Sequence, residues 1–316
     1  MRNVVLFGDP LLAMARSQLE PFLRAVQEHQ AFRVAAVVNT SMRPPAGWAE
    51  SMGQPAKRRL MRAFNPDLAA LLRPYPSMEA TAAQYGLKVT RPPGLNINAL
   101  EFRTWASAIE EPRVAISLGC LQIFKQDLLD CFEQIINFHN GLLPDYRGLG
   151  ATAWSLYNGE KRSGFSFHRM TAGLDDGPVL LDGSIDVADT TCPGALEAQK
   201  LEAAAKLAPS VLDAVHRNEP GRTQPGGEGR VYTARDRRSI QRIEDPASLT
   251  AAEIRRRSRC FTELEICLGD GWWPVTAVSA GGRPAIPNRD GEPLGVERAR
   301  FVPSWIYRAA RAAGFA

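Results

Sequence analysis

The sequence predicts an α/β protein, a Rossmann-like parallel sheet followed by a small C-terminal domain. Three observations predict it. Val4-Val5-Leu6-Phe7 is a short apolar run closed by the turn residues Gly8-Asp9-Pro10. Residues 11–28 then carry apolar positions at helical spacing, and 32–38 (FRVAAVV) is a second apolar run. Strand, helix and strand in so short a span imply a crossover and a parallel pair. The third observation is residues 218–230 (NEPGRTQPGGEGR), a Gly/Pro-rich linker. It divides the 316 residues into a first domain over 1–217 and a second over 231–316, a length consistent with two cores.

The remaining elements follow in order. Residues 41–80 are rich in Pro, Arg and Met, hold the basic cluster Lys57-Arg58-Arg59, and read as an insertion or lid. A helix is expected over 78–85 and a short strand over 87–90. Residues 114–118 form a buried strand leading to Gly119-Cys120-Leu121-Gln122-Ile123-Phe124 and a helix near 126–132. Residues 134–139 are the next strand, 164–170 another, and 195–216 a single long amphipathic helix. In the second domain Thr250 and Glu253 are spaced as a capping box, and Gly269-Asp270-Gly271 separates two strand-like runs as a hairpin turn. No Gly-x-Gly-x-x-Gly follows the first strand, so dinucleotide binding is not supported.

Composition narrows the class. The net charge is +4, and residues 231–316 hold 14 Arg against 10 acidic residues, so they carry the whole excess. Five cysteines (Cys120, Cys131, Cys192, Cys260, Cys267) are scattered without a Cys-x-x-Cys pair. That pattern suits reduced thiols in the cytoplasm and gives no zinc-ligand spacing. The first apolar run is too short for an export segment, and no run approaches the ~20 residues of a membrane span.

The chemistry concentrates in Asn137-Phe138-His139-Asn140-Gly141-Leu142-Leu143-Pro144-Asp145-Tyr146-Arg147-Gly148 and Gly173-Leu174-Asp175-Asp176-Gly177. Residues two apart on a strand share a face, so Asn137 and His139 project side by side at a strand's carboxyl end, where α/β sheets collect ligands. Asp175 returns on a Gly-flanked loop. An amide, an imidazole and a carboxylate together supply an oxyanion donor and a proton shuttle, the needs of acyl transfer to an amine. The bland alternatives are a satisfied polar pair capping a strand and an Asp in an ordinary turn.

The combination resembles the signature of the folate-dependent formyltransferase family. That pattern is Asn-x-His, then Leu-Leu-Pro, two residues, Arg or Lys, Gly, and much later Asp-x-Gly. The likeness covers roughly residues 1–245. It implies the formyltransferase fold and N-formyl transfer from 10-formyltetrahydrofolate to a primary amine, with no metal. Asn137, His139 and Asp175 would be catalytic, Asn137 and protonated His139 stabilising the developing oxyanion. Donor contacts fall on Gln122, Ile123, Phe124, Leu143, Pro144, Gly173, Leu174, Asp176 and Gly177. Acceptor contacts fall on Gly8, Asp9, Arg147 and His168.

The acceptor is read from departures within the motif. The family's tRNA enzymes show Pro-x-Trp-Arg-Gly followed by Ala-Ala-Pro, whereas this chain has Asp145-Tyr146-Arg147-Gly148-Leu149-Gly150-Ala151. With Asn140 and His168 it sits closer to the small-molecule and sugar branch, so a nucleotide-linked amino sugar or another small amine is expected. Methionyl-tRNA formyl transfer is the alternative, supported by Lys57-Arg58-Arg59 and the helical run Arg255-Arg256-Arg257-Ser258-Arg259. Hydrolysis of the formyl donor, and folate binding without catalysis, are the two further readings. Trp272-Trp273 reads as core filling or a stacking platform.

Overall fold

The computed structural model describes residues 1–42, 75–188, 191–225, 229–261, 263–269 and 271–299. The expected insertion is thereby described only at its flanks, and Lys57-Arg58-Arg59 lie outside the described residues. The chain divides into two compact units, Met1–Tyr232 and Thr233–Ala316.

In the first unit, strand β1 (Arg2–Gly8) is apolar on both faces, as a central parallel strand must be. Helix α1 (Ala13–Glu28) crosses over to β2 (Phe32–Asn39), which pairs in parallel with β1. Helix α2 (Met78–Gln84), capped by the Ser77 side chain, precedes the short strand β3 (Val89–Thr90). Helix α3 (Leu100–Ser107) leads to β4 (Arg113–Ser117), and α4 (Gln126–Leu129) to β5 (Gln134–His139). Alternate β1 residues serve opposite layers. Val4 and Leu6 pack with Leu19, Phe22 and Leu23 of α1, while Val5 and Phe7 pack with Phe102, Phe124 and Phe132. Phe7 meets those three rings edge-on at 6.0, 5.2 and 6.0 Å.

Beyond β5 come β6 (Tyr146–Gly148), α5 (Ala151–Tyr157), β7 (Arg162–Arg169) and β8 (Val179–Asp186). The sheet order is β3-β2-β1-β4-β5-β7-β8. Its first five strands are parallel, as expected, but β7 and β8 are antiparallel. The reason is the connection. Residues 140–161 leave β5 and return to the same end, so His139 pairs with Ser166 and Asn137 with His168. A chain that does not cross over must enter antiparallel.

The helix expected over 195–216 is two helices, α6 (Pro193–Ala205) and α7 (Ala208–His216). Pro209 sits in the first turn of the second helix, where its missing N–H costs nothing, whereas inside one continuous helix it would break the ladder. Residues 218–225, read from sequence as linker, run against the first unit. Arg222 exchanges backbone hydrogen bonds with Val179 (2.7 and 2.9 Å), and β9 (Arg230–Tyr232) pairs in parallel with β6.

In the second unit, α8 (Ala234–Gln241) opens with a complete capping box between Thr233 and Asp236. Strands β10 (Arg242–Ile243), β11 (Leu264–Leu268), β12 (Gly271–Ser279) and β13 (Gly295–Ala299) form one sheet in that order. Helix α9 (Ala251–Cys260) lies between β10 and β11 in the chain. Thr250 caps it through the Glu253 N–H at 3.1 Å, but the Glu253 carboxylate turns to Arg256 and Arg257. The expected box is therefore half made. Leu268 and Gly271 pair across the expected hairpin, whose Asp270 lies outside the described residues. Trp272 is exposed, with the Arg242 guanidinium 4.1 Å over its ring. No helix among the described residues is long and apolar enough to cross a membrane.

Candidate active site

Strand order reverses between β1 and β4, and a crevice forms at such a switch point. The strand ends there are knit together. The Asp9 N–H donates to Gly119 O (2.8 Å) and the Thr40 N–H to Gly8 O (3.0 Å). Gln122 Nε2 donates to Thr40 O (2.8 Å) and Leu95 O (3.0 Å), while its Oε1 accepts from the Ile97 N–H (3.1 Å). The Gln122 side chain is thus committed to the scaffold. Phe124 is committed to the core, and Ile123 between them stands 71% exposed.

One strand over, β5 and β7 bring four side chains together. Asn137 Nδ2 lies 3.2 Å from His168 Nε2, the residue directly opposite it in the ladder. The Asp175 carboxylate reaches both histidines, Oδ2 to His139 Nδ1 and Oδ1 to His168 Nε2, each at 3.4 Å. His168 Nδ1–H donates to Arg169 O (2.9 Å), and its Nε2 faces both the Asn137 amide and the Asp175 carboxylate. An amide carries two N–H bonds, so Asn137 keeps a second one for a ligand.

Asp175 is held from several sides. It takes a left-handed backbone conformation (φ 50°), uncommon outside glycine. The Gly148 N–H donates to its Oδ2 (2.9 Å), and Gln224 Nε2 donates to its backbone carbonyl (2.9 Å) and to that of Gly177 (2.7 Å). Gln224 Oε1 in turn accepts from the Arg147 guanidinium at 3.0 and 3.3 Å. Arg147, expected at the acceptor, thereby also braces this loop.

His139 is also positioned from behind. Its Nε2–H donates to Tyr146 O at 2.5 Å. Gly141 lies beneath the ring, and a Cβ there would fall 2.8 Å from His139 Nε2 and 2.7 Å from the Ala151 Cβ. Tyr146 is fixed by its ring, which stacks on Tyr232 at 5.6 Å, and Tyr232 stacks on Trp154 at 4.5 Å. Asn158 Nδ2 ties the two tyrosine hydroxyls together (3.1 and 2.8 Å).

These contacts set the charges. Burial alone would raise the Asp175 carboxyl, but His139, His168 and the Gly148 N–H outweigh it and hold the group below the usual carboxylate range. For His139 burial is the largest influence and pushes the imidazole down, against the pull of Asp175. Both of its ring nitrogens face oxygens, the arrangement an imidazolium requires, so geometry and burial act on the ring in opposite directions.

The other expected site residues are placed as follows. Leu143 is buried, with its N–H on Ser166 Oγ (3.1 Å), and Pro144 is half-buried. Gly173 donates its N–H to Thr171 Oγ1 (3.2 Å), Leu174 is 50% exposed, and Asp176 accepts from the Thr171 hydroxyl. Gly177 is buried. Asp9 is buried, its Oδ1 accepting from the Leu11 N–H (2.9 Å). Gln224, Tyr232 and Trp154 were not singled out by sequence reading. Gln224 is one polar residue in a Gly/Pro-rich stretch and carries no periodic signal.

Residues 74–212 match the family model described as formyl transferase. A methionyl-tRNA formyltransferase of Thermosynechococcus vestitus is 32% identical over 186 residues, 58% of this chain and 47% of that protein. A GDP-perosamine N-formyltransferase of Brucella melitensis biotype 1 is 36% identical over 142 residues, 42% of this chain and 55% of that protein. The chain therefore spans about half the length of the curated relatives it matches. Among solved structures, an N-formyltransferase from Helicobacter canadensis, in complex with folinic acid and dTDP-3-aminofucose, superposes with a TM-score of 0.60 at 16% identity. The likeness covers 95% of this chain and 100% of that one. A 4-N formyltransferase from Francisella tularensis gives 0.57 at 16%, covering 83% and 88%. At such identities the likeness is one of fold.

Proposed function

We propose, from the match of residues 74–212 to the formyl transferase family model, that this protein transfers a formyl group from 10-formyltetrahydrofolate to a primary amine of a small molecule. The observation that carries the reading is the cluster of Asn137, His139, His168 and Asp175 at the sheet's carboxyl edge. A folate-binding protein without catalysis has no use for a buried imidazole and carboxylate 3.4 Å apart.

The donor set suits a formyl group. When bound, the folate supplies an electrophilic formyl carbon whose oxygen needs an N–H donor. Asn137 has one to offer, and Leu121, Ile123 and Leu174 are exposed apolar side chains on the loops after β4 and β7, suited to a planar ring. Asn137 presents its amide where negative charge develops, a stabilisation that works because the group is already oriented. His139 accepts the proton that an attacking amine must shed. Its Nε2–H is fixed on Tyr146, and Asp175 stands beside Nδ1 to stabilise the imidazolium once it forms. His168 holds the Asn137 amide and the second carboxylate oxygen in register.

Folinic acid is expected to raise the melting temperature, since a ligand that binds only the native state stabilises it. A folded sample showing no shift at millimolar ligand counts against a folate enzyme.

For the acceptor, a sugar- or nucleotide-linked amine is supported by the Brucella relative and by the departures at Tyr146 and Gly150. The second unit adds an electrostatic argument. Arg255 pairs with Glu292 (2.9 Å), and Arg256 and Arg257 both pair with Glu253 (2.5 and 2.7 Å). Glu253 and Glu292 offset two of the four positive charges of the run 255–259, which thins its cover for a polyanion, whose binding draws on many phosphate contacts. Initiator tRNA is the second reading, favoured by the Thermosynechococcus relative. The protein is to be mixed with 10-formyltetrahydrofolate and a panel of amino sugars, small amines and charged initiator tRNA while folate release is followed by absorbance. Turnover with a small amine is the expected result. Saturable formylation of the tRNA at physiological salt would promote the second reading, and no turnover on any acceptor would remove formyl transfer itself.

A further inference from the structure

Lys200 is fully buried, 0% exposed, on the core-facing side of α6 between Leu196 and Ala204. A buried ammonium demands acceptors for its three N–H bonds, and this one has three. Nζ donates to Asn140 O (2.8 Å), Thr152 Oγ1 (2.9 Å) and Ser163 Oγ (3.4 Å). Those acceptors come from three elements: the residue just past β5, the first turn of α5, and β7. The network closes on itself. Asn140 Nδ2 donates to Thr152 Oγ1 (3.4 Å), the Thr152 hydroxyl to Glu197 Oε2 (2.6 Å), and Ser163 Oγ shares a proton with Ser155 Oγ (2.9 Å).

The placement matters because Asn140 follows His139 directly. From Asn140 the chain reverses through Gly141, under the imidazole, to Tyr146, whose carbonyl fixes the ring. We infer that Lys200 is a positioning residue, a buried cationic strut that anchors this reversal and sets the electrostatic background of His139. The inference rests on the proton-accepting role proposed for His139 and gives the chain a second means of tuning it.

The charged and titratable groups facing His139 are few. Asp175 comes from the loop after β7, His168 from β7, and Lys200 from α6 through Asn140, with Glu197 beside Lys200 on the same helix. Asp175 favours the imidazolium, whereas His168 and Lys200 oppose it. Burial lowers Lys200 itself to about 8, against a lesser upward pull from Glu197. Lys200 is therefore charged at neutral pH and discharges just above it.

The test reads the histidine rings directly and needs no acceptor. The chain has four histidines, so ring-carbon labelling gives four resolvable NMR titrations, with His139→Ala assigning one. Lys200→Met should move the His139 midpoint up by about half a pH unit or more, with His29 and His216 unmoved. Lys200→Arg, which keeps the charge, should move it less. In the unaltered protein the His139 resonance should show a second inflection near pH 8 as Lys200 discharges. With an acceptor in hand, the acid limb of the rate profile should move up in Lys200→Met by the same amount as the ring titration. A folded Lys200→Met with an unmoved His139 midpoint overturns the inference. If that variant does not fold, a His139 resonance flat between pH 7 and 9 in the unaltered protein does so. Failure of the amine panel with these NMR outcomes intact removes formyl transfer but leaves the strut.

Discussion

His139→Ala and Asp175→Asn are each expected to lower turnover by ~10²–10⁴-fold, the usual contribution of a positioned acid or base. Both variants should stay folded, because neither side chain belongs to the apolar clusters that hold the sheet. Asn at 175 keeps an oxygen for the Gly148 N–H but loses the charge that would stabilise a protonated His139. Single-turnover formylation with saturating donor measures the loss, and near-native transfer by either variant would sink the assignment. The pH dependence follows from the same pair. Burial lowers His139, so its neutral form persists below the ordinary imidazole value, and the acid limb of kcat/KM should lie below about 6.5. Stability should also fall in acid. A histidine buried neutral contributes fully above its unfolded pKa, and the contribution fades as pH drops through ~6.5, because the unfolded chain takes up the proton first. Asp175, depressed in the folded state, contributes above ~3.9 and loses that contribution as pH falls further. The two groups therefore act in the same direction, in successive windows.

Gly148→Ala should be strongly damaging for a single methyl. Gly148 has φ 84°, and a Cβ there would lie 2.3 Å from the Tyr232 carbonyl oxygen. Its N–H holds Asp175 Oδ2 at 2.9 Å. The left-handed conformation alone costs an L-residue roughly 1–2 kcal/mol, and relieving the clash must also push β9 away from β6. A combined loss of about 2 kcal/mol or more would lower the melting temperature by ~4–8 °C in a domain of this size. Gly159→Ala is the control. It has a similar φ of 75°, but its Cβ would meet nothing within 4 Å. The Gly148 variant should melt well below the control and lose formylation, whereas the control should keep it. Equal melting shifts, with activity retained in both, would show that the strand pairing does not support Asp175.

What could be read in the sequence was whatever depends on local period and motif spacing. The pairing of Asn137 with His139 follows from two-residue alternation, and the parallel half of the sheet from strand, helix, strand. His168 could be named but not placed, because its role depends on an antiparallel register that only the return of residues 140–161 creates. The break before Pro209 was legible in principle, since proline cannot continue a ladder. Lys200 left a faint signal too, a lysine on the apolar stripe of α6 between Leu196 and Ala204. Gln224 and β9 left none. A three-residue strand and one amide in a Gly/Pro-rich stretch acquire meaning only from distant partners: the carbonyls that Gln224 meets lie 47 and 49 residues away in the chain, and β9 pairs with the still more distant β6.

The pairing of β6 with β9 has a consequence for how such a chain can be recombined. Gln224, which grips the Asp175 loop, and Tyr232, which backs the ring of Tyr146, both come after the last helix of the first unit. A splice at residue 217 would hand both of them to whatever module follows, and the donor of that module would have to supply them again. The workable seam lies past Tyr232. A cut there leaves Gln224 and Tyr232 with the loop and the ring they hold.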